Sequence, residues 1–216
     1  MLGALQLAFI DSVNLLLIGV IVAVGIAARS NYAKTTALLI AGDWCGVAGL
    51  ALIMLVIFDG LGPVVQRFVE GPVFGILLIA TGVLTAILAV RGGDNQALVQ
   101  KIMRPLHTPG PATVGTGMVL GLIQSATSLP FYGGLALLSA AGVDAQVRYA
   151  AIPLYATVAL SLPTLAALAV GWVRAKPDSA AARGFDWARA HPDQVTSAAT
   201  WSVAVLLIVL GVTHMV

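Results

Sequence analysis

Charge is what this chain has least of. Of its 216 residues only 9% are Asp, Glu, Lys or Arg, against 59% apolar, where a soluble domain carries about 25% charged residues. That shortage excludes a water-exposed globular domain. A formal net charge of only +2 is too small to imply nucleic acid as a partner, since phosphate backbones are bound by basic surfaces; none is expected. One cysteine, Cys45, can form neither an internal disulfide nor a thiol-redox pair; it reads as a small packing residue. His107, His191 and His214 fall in loops or at the C-terminal end, with no metal-ligand spacing among them. No nucleophile–base pair accompanies them, so the sequence predicts no catalytic residue, no metal, no cofactor and no enzyme.

What the chain does have is long apolar runs. A helix needs roughly 20 apolar residues to cross a bilayer. Six stretches qualify, at about 3–28, 36–58, 72–91, 112–141, 148–173 and 196–215. The first lacks a basic start and its apolar run is too long for a signal peptide, so it is expected to stay as a helix. The runs are continuous rather than alternating, which argues against a barrel. The fourth and fifth are long for a simple span, so tilt or breakage is expected. The fold class expected is therefore an all-α integral membrane protein of six transmembrane helices.

Nine Lys and Arg residues (Arg29, Lys34, Arg91, Lys101, Arg104, Arg174, Lys176, Arg183 and Arg189) follow helices 1, 3 and 5, against Arg67 and Arg148 on the other face. Basic loops stay cytoplasmic. This predicts a multi-pass protein of a bacterial inner membrane with both termini outside. Two of the cytoplasmic connections, 92–107 and 179–190, have apolar residues placed to form short helices at the membrane surface. For the second, a solvated linker with some helix is an equal alternative.

Polar residues inside the apolar runs carry the functional signal. "IDSVN" at 10–14 places Asp11, Ser12 and Asn14 in the first run. Moving 113 residues on gives "IQSAT" at 123–127, with Gln124, Ser125 and Thr127 in the same register. Six helices divide into three plus three, and an odd number inverts the second half. This is the pattern of inverted-repeat transporters, whose sites lie near the bilayer midplane. The expected units are a first repeat over 1–91, a linker with a surface helix over 92–111, and a second repeat over 112–216. At about 1.5 Å per residue, both polar triplets lie on the order of 12–18 Å from their own membrane surface, which brings Asp11, Asn14, Gln124 and Thr127 toward one region.

Helix 4 carries a second signal, "SATSLPFYGG" at 125–134. Pro130 removes a backbone donor, and carbonyls freed in hydrocarbon are tolerated only against protein or a wet cavity. Ser125, Thr127 and Ser128 can satisfy them in part. Two readings stay open: a broken helix presenting backbone groups to a ligand, or a proline kink packed on its neighbours. Pro153 and Pro163 in helix 5 read as kinks.

Asp43, in helix 2, is the second embedded acid. No cation lies deep in any span, and a charged acid at mid-bilayer costs at least about 2.5–3.5 kcal/mol. It can be protonated, hold a cation such as Na⁺ or H₃O⁺, or face a wet cavity that accepts a cationic substrate; a neutral acid bonding a neighbouring helix is the plain alternative. The repeat offset places Asp43 opposite Tyr155 and Thr157 of helix 5, its expected polar partners. Gly42, Gly46 and Gly49 on helix 2 and Gly117 and Gly121 on helix 4 allow close helix approach. Trp44, Trp172 and Trp201 lie toward helix ends, as interfacial anchors do.

A short chain of six hydrophobic segments, with an acidic or amide polar motif in helices 1 and 4 and a basic loop after helix 3, resembles the LysE superfamily of exporters. Within it, the "DSVNLLLIG" run most resembles the actinobacterial branch related to the glycopeptidolipid- and sulfolipid-addressing proteins. LysE-type helices often carry Asn-Pro in both motifs; here Asn14 is followed by Leu15 and the proline occurs only in helix 4, as Pro130. The resemblance implies an exporter of a small metabolite or a lipid-linked cell-envelope precursor, without a nucleotide-binding domain. The embedded acids would couple it to H⁺ or Na⁺. Its partners would be membrane lipids and that substrate, and its small-residue faces invite a homo-oligomer. The alternative from another class is a non-transporting accessory or scaffold subunit of cell-envelope lipid assembly.

Overall fold

The structure, a computed structural model, describes residues 2–27, 31–91, 106, 108–176, 178–191 and scattered positions from 194 to 212. Every regular element among them is a helix. In chain order these are α1 (Leu2–Asp11), α2 (Leu15–Ala27), α3 (Tyr32–Gly60), α4 (Gly62–Glu70), α5 (Pro72–Arg91), α6 (Pro111–Ala126), α7 (Leu129–Ser139), α8 (Ala145–Ala150), α9 (Ile152–Ala159), α10 (Ser161–Ala175) and α11 (Ala180–Ala190).

Among the described residues α3, 29 residues long, is the one unbroken helix sufficiently long and apolar to cross a membrane. Two bent pairs also qualify: α1 with α2, at 49°, and α8–α9 with α10, at 42°. At least one apolar helix can therefore cross a bilayer, which makes the protein membrane-associated. The surface helix predicted over 92–107 and the last span predicted over 196–215 lie almost wholly outside the described residues. The stretch 179–190 does form a helix, α11, with Trp187 stacked on His191 at 5.0 Å.

Proline placement explains the segmentation. Pro63, Pro72, Pro111, Pro130, Pro153 and Pro163 each fall within the first three residues of a helix. There the missing N–H is an orphan in any case, and the fixed φ is already helical. Pro130 therefore starts α7 rather than kinking a longer helix. Pro153 and Pro163, predicted as kinks, start α9 and α10 in the same way.

Among the described helices the tightest packing is α3 against α6. A Cβ on Gly42 would stand 2.1 Å from the Val114 carbonyl oxygen, and one on Gly46 2.4 Å from that of Met118. In return, a Cβ on Gly117 would meet the Leu39 oxygen at 2.0 Å, and one on Gly121 the Asp43 oxygen at 2.4 Å. Only glycine permits backbones to touch this closely. Gly49, predicted with this set, faces open space. Around the crossing, α1 packs on α7 and α9, α2 packs on α10, and α3 also touches α7 and α9. Phe131, Leu135, Ile152 and Tyr155 fill the interior between them.

Candidate functional site

Both polar motifs break their helices. α1 ends at Asp11 and α2 begins at Leu15; α6 ends at Ala126 and α7 begins at Leu129. The first break has no proline. Ser12 closes α1, its hydroxyl donating to the Phe9 carbonyl. Asn14 opens α2, its Oδ1 accepting from the Leu17 N–H at 2.9 Å. Asn is a strong helix-starting residue because its side chain satisfies an orphan donor of the first turn. The second break uses Ser128 in the same role, its Oγ accepting from the Phe131 N–H at 3.2 Å. Thr127 turns its hydroxyl back on the Ile123 and Gln124 carbonyls, at 3.0 and 3.1 Å.

The breaks then reach for each other. Asn14 Nδ2 donates to Gln124 Oε1, and the Ser128 hydroxyl donates to Asp11 Oδ1. Each bond joins the first polar motif to the second. Asp11 occupies the C-terminal end of its own helix, where the dipole disfavours an anion. The hydroxyl that bonds it, Ser128, is the residue that starts α7.

Between the breaks lies a cavity of about 290 Å³, lined by Asp11, Asn14, Asp43, Gln124, Ser125, Thr127 and Ser128, with Val13, Leu16, Val47, Ala159 and Leu160 completing the wall. Asp43 is 0% exposed and neither carboxylate oxygen has a hydrogen-bond partner; Gln124 Nε2 is buried and unpaired as well. Buried polar atoms of native proteins are nearly always satisfied, so these three atoms mark where a proton, an ion, water or a solute belongs. Two acids line the cavity and no cationic side chain does among the described residues. No group of three or more metal-ligating side chains occurs among them either.

Seven of the eleven predicted site residues thus meet in one place. The other four do not line it. Ser12 is fully buried in its own cap, and Pro130 is buried in the first turn of α7. Tyr155 packs into the core, its hydroxyl donating to the Phe131 carbonyl at 3.1 Å. Thr157 is exposed on another face and accepts from Trp44 Nε1 at 3.2 Å. The wall at Ala159 and Leu160 was not singled out from sequence. Its signal was present: "SLP" at 161–163 repeats "SLP" at 128–130, and both triplets stand where a helix starts at the cavity's edge.

No family model, no curated protein and no solved structure matches the chain. The class defined by fold and site is a membrane-associated helical protein with a polar, doubly acidic cavity between two broken helices.

Proposed function

We propose that this protein is a secondary transporter of a bacterial inner membrane, and that Asp11 and Asp43 couple solute movement to protons or another monovalent cation. One observation carries the reading: two embedded acids share a cavity with no cationic side chain on its wall among the described residues. An acid in hydrocarbon without a fixed partner is costly unless it exchanges a proton or a cation, or faces water. Asp43, whose two oxygens are buried and unpaired, is the clearest case.

An inverted repeat in a six-span architecture fits the same facts. The helix-starting residues Asn14 and Ser128 are 114 positions apart, and the starts of α3 and α8, Tyr32 and Ala145, are 113 apart. The packing is reciprocal: α3 lies on α6 and α7, while α9 and α10 lie on α1 and α2. Broken helices facing each other at a central cavity are how such repeats build solute sites. The resemblance to LysE-type exporters points the same way, toward outward movement of a small or lipid-linked metabolite.

The test is reconstitution. Proteoliposomes loaded with a labelled cell-metabolite extract should release a subset of solutes when a pH gradient is imposed. Asp11→Asn and Asp43→Asn should each abolish that release while the protein stays monodisperse in detergent. Release unchanged in both variants would defeat the coupling role. No release under any gradient, from a folded protein, would favour the accessory-subunit reading.

A further inference from the structure

Two charged clusters sit at opposite ends of α3, and neither belongs to the cavity. At its C-terminal end Asp59 accepts from Arg148 Nη2 at 2.9 Å and from the Ser139 hydroxyl at 2.7 Å, while Arg148 Nη1 holds the Val143 carbonyl at 3.0 Å. At its N-terminal end the Arg174 guanidinium lies 5.1 Å over the Tyr32 ring and donates to the Gly25 carbonyl. The Tyr32 hydroxyl in turn donates to the Ala167 carbonyl at 2.9 Å. From Tyr32 to Asp59 is 27 residues of one helix, roughly 40 Å. Asp43 stands between them, at roughly 16 Å from the first and 24 Å from the second by the same rise.

What each cluster holds is the telling feature. Ser139 is the last residue of α7, whose other end is the Ser128 break in the cavity wall. Arg174 is in the last turn of α10, whose other end meets the cavity at Leu160, where the chain bends by 42°. Each cluster therefore fastens the far tip of a helix that is hinged at the cavity. α7 is a lever of 11 residues and α10 one of 15, about 16 and 22 Å long. The tips point to opposite ends of α3.

The positions also correspond across the two halves. Asp59 and Arg174 are 115 apart, Gly25 and Ser139 114, and Tyr32 and Arg148 116, close to the 113–114 that relates the helix starts. The end of α3 is tied to the end of α7 and to α8, and the end of α10 to the end of α2 and the start of α3. The bonding differs: one cluster is an ion pair, the other a cation over a ring with carbonyl acceptors. Their strengths can therefore be changed independently.

We propose that these clusters are the two gates of the cavity: Asp59–Arg148–Ser139 closes the path past α7, and Arg174–Tyr32–Gly25 closes the path past α10. Releasing one lets its lever swing about the cavity edge and opens that end alone. The proposal rests on the transport reading, and it names the moving parts that reading requires.

Labelling tests it without knowledge of the solute. In a Cys45→Ala background, Ser125→Cys places a thiol on the cavity wall at a position buried while both clusters are made, and a membrane-impermeant maleimide is applied to sealed vesicles of either orientation. Arg148→Ala should raise labelling roughly tenfold from the face nearer Asp59 only, as expected when a closed state loses a latch. Arg174→Ala should do the same from the face nearer Tyr32 only. The swap Asp59→Arg with Arg148→Asp should return labelling to the parent level, which a merely misfolded protein would not do. Equal labelling from both faces, or no change in either variant, overturns the gate assignment. Gates that behave as stated in a protein that moves no solute would leave the assignment standing and defeat transport; solute flux lost in Asp11→Asn with side-independent labelling would do the reverse.

Discussion

The break after α1 and the break after α6 reach one geometry by different means. The first uses Ser12 and Asn14 and no proline; the second uses Ser128 with Pro130 one residue into the new helix. They also differ in what holds them in place. α6 is fixed by a glycine crossing on α3 in which backbones touch, whereas α1 lies on α7 and α9 through side chains such as Ala4, Leu7 and Ala8. The comparison teaches that a cap, rather than a proline, ends a helix inside an apolar run. A short polar side chain offers the backbone an alternative to the next turn, and proline then suits the first turn that follows.

The largest expected effect comes from removing the scaffold of the second break alone. Gly42→Val would drive a side chain into the Val114 carbonyl; overpacking of backbone against backbone should destabilise the protein by about 3 kcal/mol or more, read as loss of a monodisperse peak in detergent. Ser128→Ala comes next. It removes the cap of α7 and the donor to Asp11 together, and should cost about 1–2 kcal/mol, seen as a lower thermal midpoint by circular dichroism. Asn14→Ala should cost about 1 kcal/mol for the cap and additionally free Gln124, so Asn14→Ala and Ser128→Ala combined should be less than additive. A fully additive double variant would mean the two breaks do not support each other.

Pro130→Ala is the sharper question, because the cap argument makes it mild. It should cost less than about 1 kcal/mol, mostly through the unfolded chain, with the helix content unchanged. A loss as large as that of Ser128→Ala would return the second break to proline. The smallest effect should be Gly49→Ala, where the added methyl meets open space. Alanine's better helix propensity should leave the protein unchanged or up to about 1 kcal/mol more stable. Against Gly42→Val, it separates glycine kept for contact from glycine that is merely present.

Much of this was legible beforehand. The apolar runs announced helices in a membrane, and "SATSLPFYGG" held a broken helix 4 as one of two readings, while a break in helix 1 was not predicted. Asp11, Asn14, Asp43, Gln124, Ser125, Thr127 and Ser128 were all predicted and all line the cavity. Tyr155 and Thr157 were placed by offset alone, and an offset fixes position along a helix but not the face presented; the one turned to the core and the other outward. The break at Asn14 was readable too, as a cap before "LLLIG", but the absence of proline hid it.

The sequence by itself therefore determined composition, helix content and the polar positions that interrupt the helices, because each follows from local chemistry: an apolar run must hydrogen-bond its own backbone, and a Ser or Asn can end it. Only the tertiary structure decided which interruptions share a space. That choice was made by four glycines that bring two backbones into contact and so set Asp43 beside a break more than eighty residues away in the chain. It was also the tertiary structure that left Asp43 without a partner, since whether a buried acid is satisfied depends on neighbours that no single stretch of sequence contains.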